Sequence, residues 1–271
     1  MLPAMARSTL RQIVKAQFGE WSEVSDDLVT EAPLEIRLKG TPLAVLMRTP
    51  GDERDLIMGF AITEGIVLNP DEIESITPVP QDPEDNRWEL IPAEGVEIDP
   101  GQFQRNMYTT SSCGVCGKAS IDAVRVTAPV LPAGPRVPED VLLGITATMR
   151  GGQETFDVTG GLHAAAAFTP DGELVALRED IGRHNAVDKL AGALAADRWP
   201  LGELILGVSG RVSFEMVQKC AVAGLPIICG VSAASSLAVE LAEELGVSVV
   251  GFLRESSFNI YHDPGRLIRP A

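Results

Sequence analysis

Basic residues are scarce in this 271-residue chain, which has 22 Lys and Arg against 38 Asp and Glu and a formal net charge of −16. A nucleic-acid or anionic-membrane surface needs a broad basic face that displaces counterions. The composition therefore excludes both as general partners. An anionic small ligand would need cations that are gathered locally.

Cysteine is also scarce, with four residues, and histidine occurs three times. Four cysteines are too few for a disulfide scaffold in a chain of this length, and they suit a reducing compartment. No apolar run approaches the roughly 18 residues of a membrane-spanning helix, and the start of the chain lacks the apolar centre of a signal peptide. We therefore expect a cytoplasmic protein.

The second half of the chain alternates short apolar runs with helical patterns. The runs "ELILGV", "PIICGV" and "VSVVGF" are separated by "SFEMVQKCAVAG" and "SSLAVELAEELG", and each helical stretch closes on a glycine. This series predicts parallel strands flanked by helices. Upstream, "HAAAAF" and "ELVAL" predict a strand pair. We expect residues 136–271 to form an α/β part.

The first half predicts a smaller α+β part over residues 31–135. Leu34 to Met47 alternates around Lys39 and Gly40 like a hairpin, and "DERDLIMGFAITEGI" has the pattern of one helix. Weaker strand patterns follow at Ile73 to Val79 and Trp88 to Ile91. This part ends in a cysteine-containing loop and a proline-rich linker. Residues 1–30 are expected to be a partly disordered arm.

Three polar turns follow the three apolar runs: "SGRVS" from Ser209, "SAASS" from Ser232 and "RESS" from Arg254. Parallel strands carry their ligand sites beyond their carboxyl ends, where the chain enters the next helix. Hydroxyl groups, backbone N–H groups and arginines such as Arg211 suit phosphate at a helix N-terminus. The alternative is that the serines only cap their helices.

Two histidines add a second group of polar residues. His163 lies in "TGGLHAAAAF", and His184 lies in "EDIGRHNAVDKL", where Arg183 precedes it at a helix start. A structural explanation exists, with Asp180 as the helix cap and the other polar residues solvated. So many proton-transferring and phosphate-binding side chains around one helix start nevertheless favour a site.

The stretch "TTSSCGVCGKAS" places Cys113 and Cys116 two residues apart among Gly and Ser. A lone CxxC is a weak zinc signal, and the Glu that follows the His in zinc deaminases is missing after His163. A thioredoxin-like couple needs a strand directly before it, and none is predicted. The pattern leaves an exposed nucleophilic thiol on a pliable loop. Cys220 and Cys229 lie in apolar runs typical of buried, inert cysteines.

Several motifs in register carry a resemblance. "DLIMGFAITEGI", "SSCGVCG", "TGGLHAAAAF", "EDIGRHNAVDKL", "SGRVSFEMVQK", "VSAASSLAVELAEELG" and "GFLRESSFNIY" together resemble the FdhD family, the accessory sulfurtransferases of formate dehydrogenase. The resemblance covers the chain from about Glu31 onward. It implies a cytidine-deaminase-like mixed sheet with parallel C-terminal strands flanked by helices, and no zinc.

The resemblance also implies an activity and its residues. Cys113 would carry a persulfide received from a cysteine desulfurase, and Cys116 would be a second acceptor or resolving thiol. The sulfur would pass to the molybdenum of the bis(molybdopterin guanine dinucleotide) cofactor, a bound substrate, before the cofactor enters formate dehydrogenase. Cofactor contacts would come from Phe252, Leu253, Arg254, Glu255, Ser256 and Ser257. Glu255 is predicted to accept hydrogen bonds from the guanine edge.

Further cofactor contacts are inferred from the turns alone, at His163, Arg183, His184, Ser209 and Arg211. The resemblance implies a homodimer as well. Two alternatives remain: an escort that binds the cofactor or guanine nucleotides without sulfur chemistry, and a zinc protein of deaminase-like fold. The order in which Cys113 and Cys116 act stays open.

Overall fold

The computed structural model describes residues 6–80, 82, 86–99 and 128–269. Cys113 and Cys116, and the predicted loop around them, lie outside the described residues. Among the described residues no helix is long and apolar enough to cross a membrane.

A four-stranded sheet forms the first unit. Its strands are β3 (Ala32–Leu38), β4 (Thr41–Arg48), β5 (Ile73–Pro78) and β6 (Arg87–Pro92), in the order β4-β3-β6-β5. The predicted hairpin is confirmed, and Lys39 and Gly40 form its turn with positive φ. Helix α1 (Glu53–Thr63) packs its Leu56, Ile57 and Phe60 against the sheet's buried side chains.

A six-stranded mixed sheet forms the second unit, in the order β13-β12-β11-β10-β8-β9. Strands β10, β11 and β12 are parallel, as predicted, and the other neighbours are antiparallel. The strands are β8 (His163–Phe168), β9 (Leu174–Asp180), β10 (Ile205–Val208), β11 (Ile227–Gly230), β12 (Ser248–Arg254) and β13 (Ser257–His262). A separate short pair joins β7 (Val137–Pro138) to β14 (Leu267–Ile268).

Helices cover both faces of this sheet because successive strand residues point to opposite sides. Helix α2 (Glu139–Gly151) covers one face, against Ala164, Ala166 and Phe168. The other face is covered by α4 (Arg183–Ala195), α5 (Phe214–Ala223) and α6 (Ser236–Leu245). A short helix, α3 (Glu154–Thr159), precedes β8. The predicted mixed α/β fold is confirmed.

The two units meet where α1 crosses α4 at very short range. A Cβ atom on Gly59 would lie 1.8 Å from the Asp188 carbonyl oxygen, and one on Gly192 would lie 1.9 Å from the Asp55 carbonyl oxygen. Only glycine permits this approach. Beside the crossing, the buried Lys219 amine binds the Asp188 carboxylate at 2.9 Å and the Thr63 hydroxyl at 2.8 Å.

The prediction for residues 1–30 is wrong over most of its length. Strands β1 (Ser8–Gln17) and β2 (Glu20–Val29) pair in full register as an antiparallel hairpin that turns at Phe18 and Gly19. The sequence did not reveal it because its exposed strands mix apolar and charged residues without one buried face to set a period of two.

Candidate functional site

The three predicted turns lie at one edge of the six-stranded sheet. The Val212 amide donates to the Ala233 carbonyl at 3.0 Å, which joins the first turn to the second. The Phe252 amide, two residues before the third turn, donates to the Ser232 carbonyl of the second at 3.0 Å. The prediction that parallel strands gather these turns at their carboxyl ends is therefore confirmed.

His163 and Arg183 converge on the first of these turns. Because β8 is antiparallel to β10, its first residue lies where β10 ends, and the His163 Nδ1 atom is 3.5 Å from the Ser209 hydroxyl. The same hydroxyl accepts the Ala164 amide at 2.9 Å. A Cβ atom on Gly210 would lie 3.5 Å from His163 Nδ1 and 3.7 Å from Arg183 Cδ. Imidazole, guanidinium and hydroxyl groups thus surround one glycine.

The surroundings of His163 disfavour its charged form. Partial burial and the nearby positive charge of Arg183, together with His184, lower the pKa of His163 below its ordinary value, and the Asp180 carboxylate opposes them. The imidazole is therefore neutral at neutral pH. A phosphate beside it would reverse the balance, since an anion stabilises the protonated form.

Two donors at this edge lack a partner in the described part of the chain. The Oγ atom of Ser213 and the Nε atom of Arg183 are both buried there without a hydrogen bond. Ser213 begins α5 yet its side chain makes no cap bond, whereas the Ser235 hydroxyl accepts the Ala238 amide and caps α6. The capping explanation therefore holds for Ser235 and fails for Ser213.

The acidic residues before Arg183 have a structural role, contrary to the functional interpretation of that stretch. The buried Asp180 carboxylate accepts the Gly182 amide at 2.8 Å and the Thr49 amide at 3.0 Å, and it pairs with Lys189 at 2.8 Å. Glu179 accepts two amides at the start of α3. These bonds fix the turn that places Arg183 and His184 at the sheet edge.

Glu215 is a site residue that the sequence interpretation missed. Its Oε2 atom lies 2.8 Å from His184 Nε2, a close contact between the first turns of α4 and α5 that lacks the geometry of a hydrogen bond. The signal was available, because Glu215 follows the predicted turn "SGRVS" by two residues. Exposed Arg211 lies in the same turn.

The third turn differs from its prediction as the start of a helix. Arg254 and Ser257 pair within a hairpin of β12 and β13, and the Arg254 guanidinium donates to the Val231 carbonyl at 2.6 Å. Phe252 has a φ of 50° and a partly exposed ring, and Glu255, Ser256 and Ser257 are exposed. Leu253 is buried against the α2 face of the core, so it supports this segment from below.

Metal ligation finds no support among the described residues, where no three His, Cys, Asp or Glu side chains come together. Cys220 and Cys229 are buried free thiols. Burial raises the pKa of Cys220, with Cys229 adding to the shift, and it raises the pKa of Cys229 to about 12. Both thiols are therefore protonated and unreactive at neutral pH.

The fold and the site define a mixed α/β protein with polar turns and cations at the carboxyl edge of its parallel strands, an arrangement typical of proteins that bind anionic ligands. The chain belongs to the FdhD/NarQ family, whose model matches residues 29–268.

Curated relatives agree with this assignment, and a solved structure shares the fold. The chain is 49% identical to the sulfur carrier protein FdhD of Streptomyces coelicolor over 95% of its length and 94% of that protein. It is 44% identical to the sulfur carrier protein FdhD of Sulfurisphaera tokodaii, over 92% and 95%. A formate dehydrogenase accessory protein from Desulfotalea psychrophila shares the fold, with a TM-score of 0.76 at 23% identity over 97% of this chain and 100% of that one.

Proposed function

We propose that this protein is a sulfurtransferase that carries sulfur on Cys113 and delivers it to the molybdenum of a bis(molybdopterin guanine dinucleotide) cofactor for formate dehydrogenase. Family membership and the names of the relatives support a sulfur carrier. The observation that supports ligand binding is the sheet edge, where Arg183 lies beside His163 and Ser213 precedes α5, each with a buried donor that has no partner among the described residues. Such donors suit the phosphates of a dinucleotide.

The first step loads the carrier. The Cys113 thiolate attacks the terminal sulfur of a persulfide on a cysteine desulfurase, so a new S–S bond forms on Cys113 while the S–S bond of the donor breaks and its thiolate leaves. Electrons balance without an external oxidant. The thiolate is the reactive form.

The second step unloads it. The Cys116 thiolate attacks the inner sulfur of Cys113, a disulfide forms between the two residues, and the outer sulfur leaves as sulfide. Sulfide takes the place of an oxygen ligand on the substrate's molybdenum, and that oxygen leaves as water after taking two protons. A cellular dithiol then reduces the disulfide and restores both thiols.

The sheet edge positions the substrate in this scheme. Arg183, His163, Ser209 and Arg211 surround the phosphates, and Glu215 holds His184 beside them. The Phe252 ring is exposed for stacking on a guanine base, whose edge Glu255 binds as acceptor. Local cations offset the ligand charge in a chain of net charge −16.

Mass spectrometry tests the sulfur chemistry. Incubation with a cysteine desulfurase and cysteine should add the mass of one sulfur atom to the wild-type protein. The same addition is expected in a Cys220→Ser/Cys229→Ser variant, because the two thiols that it lacks are inert in the wild type. The addition should be absent from Cys113→Ala. An unchanged mass addition in Cys113→Ala would contradict the proposal.

The sheet edge by itself also supports an escort that binds the cofactor or guanine nucleotides without sulfur chemistry. The two functions differ in one outcome. An escort lets a Cys113→Ser/Cys116→Ser variant mature formate dehydrogenase as well as the wild type does, whereas a sulfurtransferase variant of this kind yields inactive enzyme. We further propose a cytoplasmic homodimer with cysteine desulfurase and formate dehydrogenase as partners.

A further inference from the structure

The hairpin of β1 and β2, called the arm below, is a feature that the proposed function leaves unused. Each strand has ten residues, so the arm is about 33 Å long. An isolated two-stranded ribbon is marginally stable in water, and most side chains of this one are exposed. A ribbon of this kind gains stability when another surface covers it.

Two aromatic side chains lie at the tip of the arm. Phe18 is 98% exposed and Trp21 is 76% exposed. Phe18 has a φ of 52° in a two-residue turn, where Asn, Asp or Gly is the usual residue because a larger side chain strains the left-handed backbone. Folding alone gives no reason to hold a phenyl ring there. Exposed aromatic side chains of this kind are frequent anchors of protein interfaces.

One face of the arm combines apolar and acidic side chains. The strand register places Leu10 opposite Asp27, Val14 opposite Glu23, and Ala16 opposite Trp21, so all of these lie on the same face. Leu10 and Val14 are 61% and 60% exposed. Arg11 and Lys15 project from the other face. The apolar stripe (Leu10, Val14 and Trp21) is therefore bordered by carboxylates and by no cation.

The base of the arm lies beside the sheet-edge site. The Arg7 guanidinium pairs with Asp52 at 2.6 Å, and the Thr30 amide donates to the Arg7 carbonyl at 2.9 Å. Val29 packs on Gly161, where its Cγ1 would lie 3.0 Å from an added Cβ. Gly161 is two residues before His163. The arm is therefore rooted next to the ligand site, and its tip lies up to about 33 Å from that root.

We propose that the arm docks the protein that donates sulfur, and that its apolar stripe and tip enter an apolar groove bordered by Lys or Arg on that protein. This inference rests on the proposed function. In that cycle the sulfur arrives on a protein, the cysteine desulfurase, and its acceptor is a small molecule. Donation is therefore the sulfur-transfer step that needs a docking surface, and formate dehydrogenase receives the cofactor only afterwards. A second copy fits poorly because the same face would oppose Glu23 and Asp27 to their counterparts.

The test compares a protein donor with a small donor that needs no docking. The variant Phe18→Asn/Trp21→Thr removes both rings while Asn suits the left-handed turn and Thr suits the strand. We expect half-maximal sulfur loading of this variant to need about tenfold more desulfurase or higher. Inorganic polysulfide should load it at the wild-type rate. Glu23→Lys/Asp27→Lys should also weaken loading by the desulfurase, and Val45→Thr, an exposed valine on β4, is the matched control.

The outcomes distinguish failure of the docking role from failure of the proposed sulfurtransferase function. Equal loading of wild type and both arm variants by the desulfurase overturns the docking role. A wild-type dimer that Phe18→Asn/Trp21→Thr converts to a monomer assigns the arm to a second copy and overturns it as well. Failure of both donors to load the wild type instead contradicts the proposed function and is visible before any arm variant is examined.

Discussion

His163 is the residue whose protonation depends most on what occupies the sheet edge. The folded protein holds the imidazole neutral because burial and Arg183 lower its pKa, whereas the unfolded chain titrates near the ordinary 6.5. The folded state therefore loses stability as the pH falls through 6.5, since only the unfolded chain takes up the proton. A phosphate bound at Arg183 would make protonation favourable and reverse this contribution.

GDP carries the guanine base and phosphates of the proposed ligand, so the protein should take up a proton when it binds GDP. We expect GDP affinity to rise as the pH falls from 8 to 6, by up to about tenfold per pH unit for one proton. Isothermal titration calorimetry in buffers of different ionisation enthalpy measures both the affinity and the proton uptake. The dependence of GDP affinity on pH should become weaker in His163→Gln and should stay unchanged in His184→Gln. Equal slopes in the wild type and His163→Gln would show that another group takes up the proton.

At the same scale, the sequence predicted residue types better than residue roles. His163, Arg183 and Ser209 were expected at one site and do lie together, because parallel strands bring their carboxyl ends to one edge. Asp180 was named only as a helix cap in the structural explanation, yet it is buried and also ties the turn to Thr49, more than a hundred residues away in sequence. No local pattern reveals a partner so distant in sequence. Glu215 lies close to a predicted turn, but its pairing with His184 on another helix depends on tertiary distance.

The crossing of α1 and α4 shows what two glycines contribute at the scale of an element. Gly59 lies in the motif "DLIMGFAITEGI", and Gly192 lies in α4, where glycine lowers helix propensity. Each sits where a Cβ would strike the backbone of the opposite helix. The sequence predicted both helices correctly, but their contact surface depends on tertiary distance, which helical periodicity does not contain.

Alanine substitution should distinguish the two glycines at the helix crossing from a glycine with open space around it. Gly192→Ala and Gly59→Ala should each lower the free energy of unfolding by about 3 kcal/mol, because the backbone atoms that the new methyl group meets cannot move aside cheaply. Gly144→Ala, on the exposed side of α2, meets nothing within 4 Å and should raise the free energy of unfolding by about 0.5–1 kcal/mol. Urea denaturation measures all three. A neutral result for Gly192→Ala would mean that the helices can move apart.

In the whole molecule, two buried lysines of the mixed-sheet unit bind groups of the four-stranded unit. Lys219 on α5 binds Asp188 on α4 and Glu64 at the end of α1, and Lys189 on α4 binds Asp180 and the Thr49 carbonyl. Burial works against the charged amine, but the Asp188 and Glu64 carboxylates raise the pKa of Lys219 overall. The structural explanation of "EDIGRHNAVDKL" treated the polar residues other than Asp180 as solvated, whereas Asp188 and Lys189 are buried.

Removal of the Lys219 charge should therefore weaken the whole fold. Lys219→Met leaves the buried Asp188 carboxylate without its cation, and we expect a loss of about 3–5 kcal/mol in the free energy of unfolding at pH 8. Burial already raises the pKa of Asp188, and loss of Lys219 should raise it further. An acid whose pKa is raised on folding stabilises the fold at low pH. The loss of stability caused by Lys219→Met should therefore be smaller at pH 5 than at pH 8.

A second substitution distinguishes the unpaired charge from the lost packing of the lysine side chain. In Lys219→Met/Asp188→Leu both charges are gone, and most of the lost stability should return and no longer depend on pH over this range. The measurement is urea denaturation of the wild type and both variants at the two pH values. A loss in Lys219→Met that is the same at pH 5 and pH 8, and that the double variant does not recover, would show that packing rather than charge pairing holds the two units together.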